Sequence, residues 1–394
     1  MVIMTITSFP KFLRLVVILL FSVKAFSQAY ALPFKAAGNA ITDQKGKRLQ
    51  LKSVNWFGAE SGEFVVGGLD KQPLDKIVML IKEGGFNSVR LPWCNELVEK
   101  NPLILSNLLT ANPKLQGKKA LEILDAVIKE LGNKGLYVIL DNHRSRGDWC
   151  CDESHGDGLW YTAAYPETAW LADWQFMAKR YLDNKMVIAY ELRNEIRPDP
   201  SLELKATWGD KNPATDWHLA ATACGNLLLK INSNALIIVG GTDYQEHLKY
   251  VKDFPVILKV PNHLVYAAHD YTWWHKPEDL ASADAFEKAV YDRWGFVLQP
   301  GRRYTAPVYI SEWGGCTQPN SKGEACTQDR IDFVFTFAQY LQKHQLDWAY
   351  WPLNGTQAGG YNRIKGDVEA YGLLNPQWSA YANDEVMKAL HLKE

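Results

Sequence analysis

Two glutamates, Glu195 and Glu312, stand at the ends of two short candidate strands, 187–193 and 307–312, that open with apolar runs. At the ends of similar runs stand Arg90, His143, Asn194, His269, Tyr271 and Trp351. A single Glu in such a place is most often solvated or salt-bridged. Two of them, ringed by His, Tyr, Asn and Trp, suit cleavage of a glycosidic bond. One carboxylic acid donates a proton to the leaving oxygen, and the other, ionised, attacks the anomeric carbon. Their surroundings must then split the two pKa values. A divalent metal held by His143, His269, Glu195 and Glu312 is the competing chemistry. Barrel metallohydrolases commonly begin with H-x-H on an early strand, and the first strand here ends Val54-Asn55-Trp56-Phe57. No metal and no cofactor is therefore expected.

These side chains must be held by a frame, and the hydropathy pattern predicts one. Candidate strands cover 49–57, 87–92, 136–141, 187–193, 236–240, 263–269, 307–312 and 348–353. Runs such as Tyr137-Val-Ile-Leu140 and Leu236-Ile-Ile-Val239 are nearly continuous in apolar residues, as parallel strands covered on both faces are. Helical periodicity marks 74–83, 120–131, 168–182, 217–231, 279–291, 329–343 and 380–391. Eight strands with intervening helices predict an α/β fold, the closed (β/α)8 TIM barrel. An open doubly wound sheet is the alternative, but Gly58-Ala-Glu-Ser after the first strand is no nucleotide loop. In a barrel the polar residues at the C-terminal strand ends meet at one face. The fourth and seventh strands, carrying Glu195 and Glu312, face each other across it. Residues 94–117 and 144–167 read as long insertions, and 32–48 as an N-terminal hairpin or plug.

The 394-residue chain is 47 % hydrophobic with a formal charge of -1. That excludes disorder and gives no positive excess for nucleic acid. Fifteen Trp are the one unusual figure. Residues 1–31 read as a secretory leader: Lys11 and Arg14, the apolar run Leu15–Phe21, then Ala29 and Ala31 at an A-x-A-like cleavage site. The apolar run is too short to span a bilayer. Residues 32–394 are then a single catalytic domain, secreted, monomeric and free of membrane. Cys316 and Cys326 can bridge within one loop. Cys94 can meet Cys150 or Cys151 if their loops are neighbours. Cys224, in a helical pattern, reads as a buried thiol.

With Asn194-Glu195 behind one strand and Glu312-Trp313-Gly314 behind another, the chain resembles glycoside hydrolase family 5 of the cellulase type, over residues 40–390. Val54-Asn-Trp-Phe-Gly58, Leu159-Trp-Tyr161, Asn262-His-Leu-Val-Tyr266 and His269-Asp-Tyr271 share that look, closest to secreted bacterial endo-β-1,4-glucanases. The resemblance implies a retaining mechanism, with Glu195 as acid/base and Glu312 as nucleophile. Arg90 and Tyr271 would hold Glu312, Asn194 would reach the 2-hydroxyl, and His143 would bind sugar hydroxyls. His269 would tune Glu195, and Trp351 would floor the site. The partner implied is a β-linked oligo- or polysaccharide.

There are departures from the family pattern. Ile196 stands where Pro is usual after the acid/base, and Trp313 where Phe is commoner. Extra residues fill 148–155 and 269–275. Trp56 is the expected platform for a second sugar, with Trp149, Trp160, Trp208, Trp273 and Trp274 as candidates for outer subsites. Trp170, Trp174, Trp217 and Trp348 read as core. Asp141 and Asp270 read as structural partners pointing away from the centre by strand alternation. Asn354-Gly-Thr356 is a glycosylation sequon, expected to stay bare at the active face. Mannan, xyloglucan or glycolipid substrates, exo action, and a non-catalytic glycan-binding barrel are the alternatives. The last usually lacks a catalytic acid, and here both are present.

Overall fold

The computed structural model describes residues 30–151 and 156–392. The expected leader lies, but for Tyr30 and Ala31, outside the described residues. Ala31–Glu394 form one compact unit.

Three short strands come first: β1 (Lys35–Ala37), β2 (Ala40–Thr42) and β3 (Arg48–Leu49). They form an antiparallel sheet, so the expected hairpin gains a third strand. Its residues pack at the N-terminal end of the barrel, where Phe34 meets Tyr137 edge to face and Arg48 pairs with Asp347 at 3.0 Å.

Eight parallel strands then close a barrel: β4 (Lys52–Asn55), β5 (Ser88–Cys94), β6 (Tyr137–Arg144), β7 (Val187–Glu191), β8 (Leu236–Gly240), β9 (Leu264–Asp270), β10 (Val308–Trp313) and β11 (Asp347–Tyr350). Trp348 opposite Lys52 joins the last strand to the first. Every residue of β8 is buried, as a strand covered on both faces requires.

The helices are α1 (Leu74–Glu83), α2 (Asn95–Lys100), α3 (Ala120–Asn133), α4 (Glu167–Arg180), α5 (Trp217–Ile231), α6 (Ala283–Arg293), α7 (Gln328–Lys343) and α8 (Asp384–Ala389). Two expected helices begin later than their apolar period suggests, because caps set the start. Ser282 Oγ accepts from the Ala285 N–H, and Asn383 Oδ1 accepts from Glu385 and Val386. Among the described residues no helix is long and apolar enough to cross a membrane.

Candidate active site

Arg90, on β5, is fully buried and organises the C-terminal mouth. Nε donates to Glu191 Oε2 at 2.7 Å and Nη2 to Glu191 Oε1 at 3.1 Å. Nη1 donates to Glu312 Oε1 at 2.7 Å and to Asn55 Oδ1 at 2.9 Å. Nη2 also reaches Asn194 Oδ1 at 2.8 Å and Asp141 Oδ2 at 3.1 Å. One guanidinium thus aligns the ends of β4, β6, β7 and β10. Such a charge is held inside the protein only because its whole donor fork is engaged.

Glu312 ends β10. Besides Arg90 it accepts from Tyr271 Oη at 3.2 Å. Glu195 lies four residues beyond the end of β7, in the left-handed region at φ 43°. That conformation costs a non-glycine residue energy. It is fixed by the Glu195 N–H donating to Gln245 Oε1 at 2.7 Å. A carboxylate oxygen of Glu195 lies within 4.8 Å of one of Glu312, with His269 in the same cluster.

Burial pushes both carboxyls up to about 7, so burial alone does not split them. Their partners differ. Glu312 takes a charge-assisted bond from Arg90 and one from Tyr271, both of which favour its ionised form. Glu195 instead meets His269 Nδ1 at 2.8 Å. Burial lowers His269 to about 4, so its ring is neutral at higher pH. Ser311 Oγ donates to Glu191 Oε1 at 2.9 Å, and His269 Nε2 lies 3.2 Å from the same Oγ. With the Ser311 proton committed to the Arg90-bound carboxylate, Nε2 must carry the ring proton. Nδ1 is then an acceptor, and the hydrogen shared with Glu195 belongs to the carboxylic acid. The network therefore favours protonated Glu195 beside ionised Glu312, an arrangement able to donate a proton and attack carbon at once.

His143 ends β6. Its Nδ1 lies 2.6 Å from Asp141 Oδ2, and burial beside Arg90 lowers its pKa, leaving Nε2 as an acceptor. Its ring stacks on Trp351 at 5.6 Å and 9°. A cavity of about 580 Å³ is lined by His143, Asn194, Glu195, Tyr271, Glu312 and Trp351. Trp149, Trp273 and Trp274 continue the same wall.

Several sequence expectations are corrected. Trp56 is no platform: it is fully buried, with Nε1 donating to the Gly67 carbonyl at 3.0 Å. Asn55, at the end of β4, faces Arg90, and Phe57 two residues on faces the same way and stacks on Trp351 instead. Trp160 is fully buried against Trp217, and Trp208 is covered with Nε1 on the Phe254 carbonyl; neither lines the cavity. Asp141 points inward, sharing the face of His143 two residues on, while Asp270 points to Arg293 and Trp294 as expected. Cys94 is a free buried thiol, because Cys150 is joined to its neighbour Cys151. Cys316 pairs with Cys326, and Cys224 is a buried thiol. Trp170, Trp174, Trp217 and Trp348 are core.

Glu191, Gln245, Ser311 and Asn55 also belong to the site, although the sequence pattern assigns them no role. Glu191 had a signal: it ends an apolar strand, and a buried Arg needs more than one carboxylate. Gln245 had none, since it lies in a loop brought to Glu195 by the fold. Asn354 is buried, its Oδ1 and Nδ2 bonded to the Phe57 N–H and carbonyl, so a glycan there would break both bonds.

Residues 42–357 match the family model described as cellulase, glycosyl hydrolase family 5. An endoglucanase of Paenibacillus polymyxa is 32 % identical over 367 residues, covering 88 % of this chain and 84 % of the relative. The major extracellular endoglucanase of Xanthomonas campestris is 39 % identical over 201 residues, 51 % of this chain and 39 % of that protein. Among solved structures, a cellotetraose complex of the endocellulase from Pyrococcus horikoshii superposes with a TM-score of 0.76 at 28 % identity. It covers 92 % of this chain and 100 % of that one.

Proposed function

The chain belongs to the cellulase family of glycosyl hydrolases, family 5, and from that premise we propose that it is a retaining endo-β-1,4-glucanase with Glu195 as acid/base and Glu312 as nucleophile. The observation that supports the mechanism is that one oxygen of Glu195 lies within 4.8 Å of one oxygen of Glu312, with His269 Nδ1 2.8 Å from Glu195 and 3.8 Å from Glu312. Retaining enzymes hold their two carboxyl groups about 5–5.5 Å apart, whereas inverting enzymes leave about 6.5–9.5 Å for a water.

Glu312 attacks the anomeric carbon while Glu195 gives its proton to the departing oxygen. Glu195, now ionised, then takes a proton from the water that cleaves the glycosyl–enzyme bond. Arg90 keeps Glu312 ionised, and Tyr271 steers the same carboxylate. Asn194, its Oδ1 fixed by Arg90, offers Nδ2 to the 2-hydroxyl. His143 Nε2 accepts from a sugar hydroxyl, and Trp351 lies under the apolar face of the ring. Trp149, Trp273 and Trp274 extend the aromatic wall for further sugars, which suits a chain substrate cut internally.

The cellotetraose complex of the Pyrococcus horikoshii enzyme supports a β-linked glucan as substrate. The apolar leader pattern, the two disulfides and the relative named extracellular support secretion. The working form is a monomer acting without a cofactor. A soluble cellulose derivative tests the reading. Rapid viscosity loss with few new reducing ends is expected. Failure to release reducing ends from it, alongside cleavage of aryl mannobiosides, would move the enzyme to another substrate.

A further inference from the structure

Cys150 and Cys151 are adjacent, joined to each other by a disulfide, and half-buried on the wall of the catalytic cavity. Cys151 Sγ lies 2.8 Å from Glu195 Oε2, and Cys150 Sγ lies 3.8 Å from it. Cys150 Sγ is also 3.8 Å from Asn194 Nδ2. One ligand atom from each cysteine and one Glu195 oxygen sit within 4.8 Å of one another. Glycosidic cleavage uses no sulfur, so the proposed mechanism leaves this pair without a task.

We infer that Cys150, Cys151 and Glu195 form a reduction-dependent site for a thiophilic divalent cation, whose binding shuts off the acid/base. In the disulfide neither sulfur is a thiolate, and the thiolate is the metal ligand. A water-soluble trialkylphosphine opens it. The S–S bond breaks, and a water oxygen ends on phosphorus as the phosphine oxide. Phosphorus gives up two electrons to the sulfurs, and the two hydrogens of that water become the thiol protons. A zinc or cadmium ion then displaces both protons. Two thiolates and the Glu195 carboxylate supply three ligands of a tetrahedral site, with water as the fourth. Glu195 bound this way has no proton for a leaving oxygen, and the ion itself occupies the cavity.

Access supports this chemistry. The pair faces an open cavity, whereas the remaining thiols, Cys94 and Cys224, are buried. In an oxidising medium the disulfide persists and the site stays closed to the ion; in a reducing one it opens. The enzyme would then be silenced wherever reductant and a thiophilic cation occur together.

The intact chain tests the inference with cadmium as probe, before and after phosphine treatment. Two readouts are followed: the ultraviolet cadmium–thiolate charge-transfer band, and turnover of an aryl cellobioside. Both responses are expected only after reduction, and a chelator should reverse them. Turnover rests on the glucanase reading, but the band does not, so failure of one is separable from failure of the other. Cys150→Ser/Cys151→Ser should show neither the band nor cadmium-dependent loss of turnover, whatever its basal rate. Cys316→Ser/Cys326→Ser should keep both. Cadmium inhibition without reduction would place the ion on Glu195, His269 and Glu312 and overturn the inference. A band that survives in Cys150→Ser/Cys151→Ser would overturn it equally.

Discussion

The backbone N–H of Glu195 donates to Gln245 Oε1 at 2.7 Å, and Gln245 Nε2 reaches Glu191 Oε1 at 3.2 Å. A loop residue after β8 therefore ties Glu195, held at φ 43°, to the carboxylate that anchors Arg90. Glu195 and Glu312, the proposed proton donor and nucleophile, share one hydrogen-bonded frame although β7 and β10 do not touch.

Gln245 is accordingly a positioning residue. Gln245→Ala frees the Glu195 backbone and should lower kcat on cellooligosaccharides by about a hundredfold, the scale of a misplaced catalytic group. Activated aryl cellobiosides, which need little acid assistance, should lose much less. Equal losses on both substrates would mean a merely structural role.

The two carboxylates should respond differently to removal. Glu312→Ala should abolish turnover of every glycoside, and azide should restore it with formation of the inverted α-glycosyl azide. Glu195→Ala should lose about 10²–10⁴-fold on poor leaving groups, the usual worth of general acid catalysis. It should keep substantial activity on good ones. Exchanged responses would reverse the assignment.

The pH dependence follows from the protonation states. Burial lifts the carboxyls of Glu195 and Glu312 to about 7. The pair titrates as a unit, and activity requires one proton shared between them. kcat/KM should fall at alkaline pH as Glu195 loses its proton, with the descending limb near neutrality. Raised folded-state values also carry a stability term. It is fully present below the unfolded value of 4.5 and fades as pH rises through about 7. Thermal unfolding of wild type against Glu195→Gln at pH 5 and pH 8 measures that term. The advantage of wild type over the amide should be larger at pH 5.

Two tryptophans separate binding from packing. Trp273 is 60 % exposed and stacks on Tyr271 at 4.4 Å. Trp273→Ala should raise KM for longer oligosaccharides with little change in Tm. Trp56 is fully buried, and Trp56→Ala should cost about 3–5 kcal/mol of stability. If Trp56→Ala changed KM on a fold of unchanged stability, the buried reading would fail.

The barrel was legible in the sequence because parallel strands covered on both faces need continuous apolar runs, and helices need a 3.6-residue period. The run in β8 and the period of α5 each followed from local composition. So did the placement of Glu195 and Glu312 at opposed strand ends, since chain order in a barrel fixes which strands face each other. The period of two itself puts Asp141 on the inward face of His143 and turns Trp56 away from the centre beside inward-facing Asn55, so both departures follow from which residue anchors the alternation. Trp160 and Trp208 were misjudged because an aromatic in a loop carries no mark of what will cover it.

The residue types alone thus determined the fold class and the pair of acids. The rest required three-dimensional closure. Only the barrel brings Arg90 onto Glu191 and Glu312 from strands far apart in sequence. Only the loop after β8 places Gln245 behind Glu195, and only the β6 loop sets Cys150 and Cys151 against the same carboxylate. Hydrogen bonds and desolvation act over a few ångströms of space, and sequence separation does not record those distances.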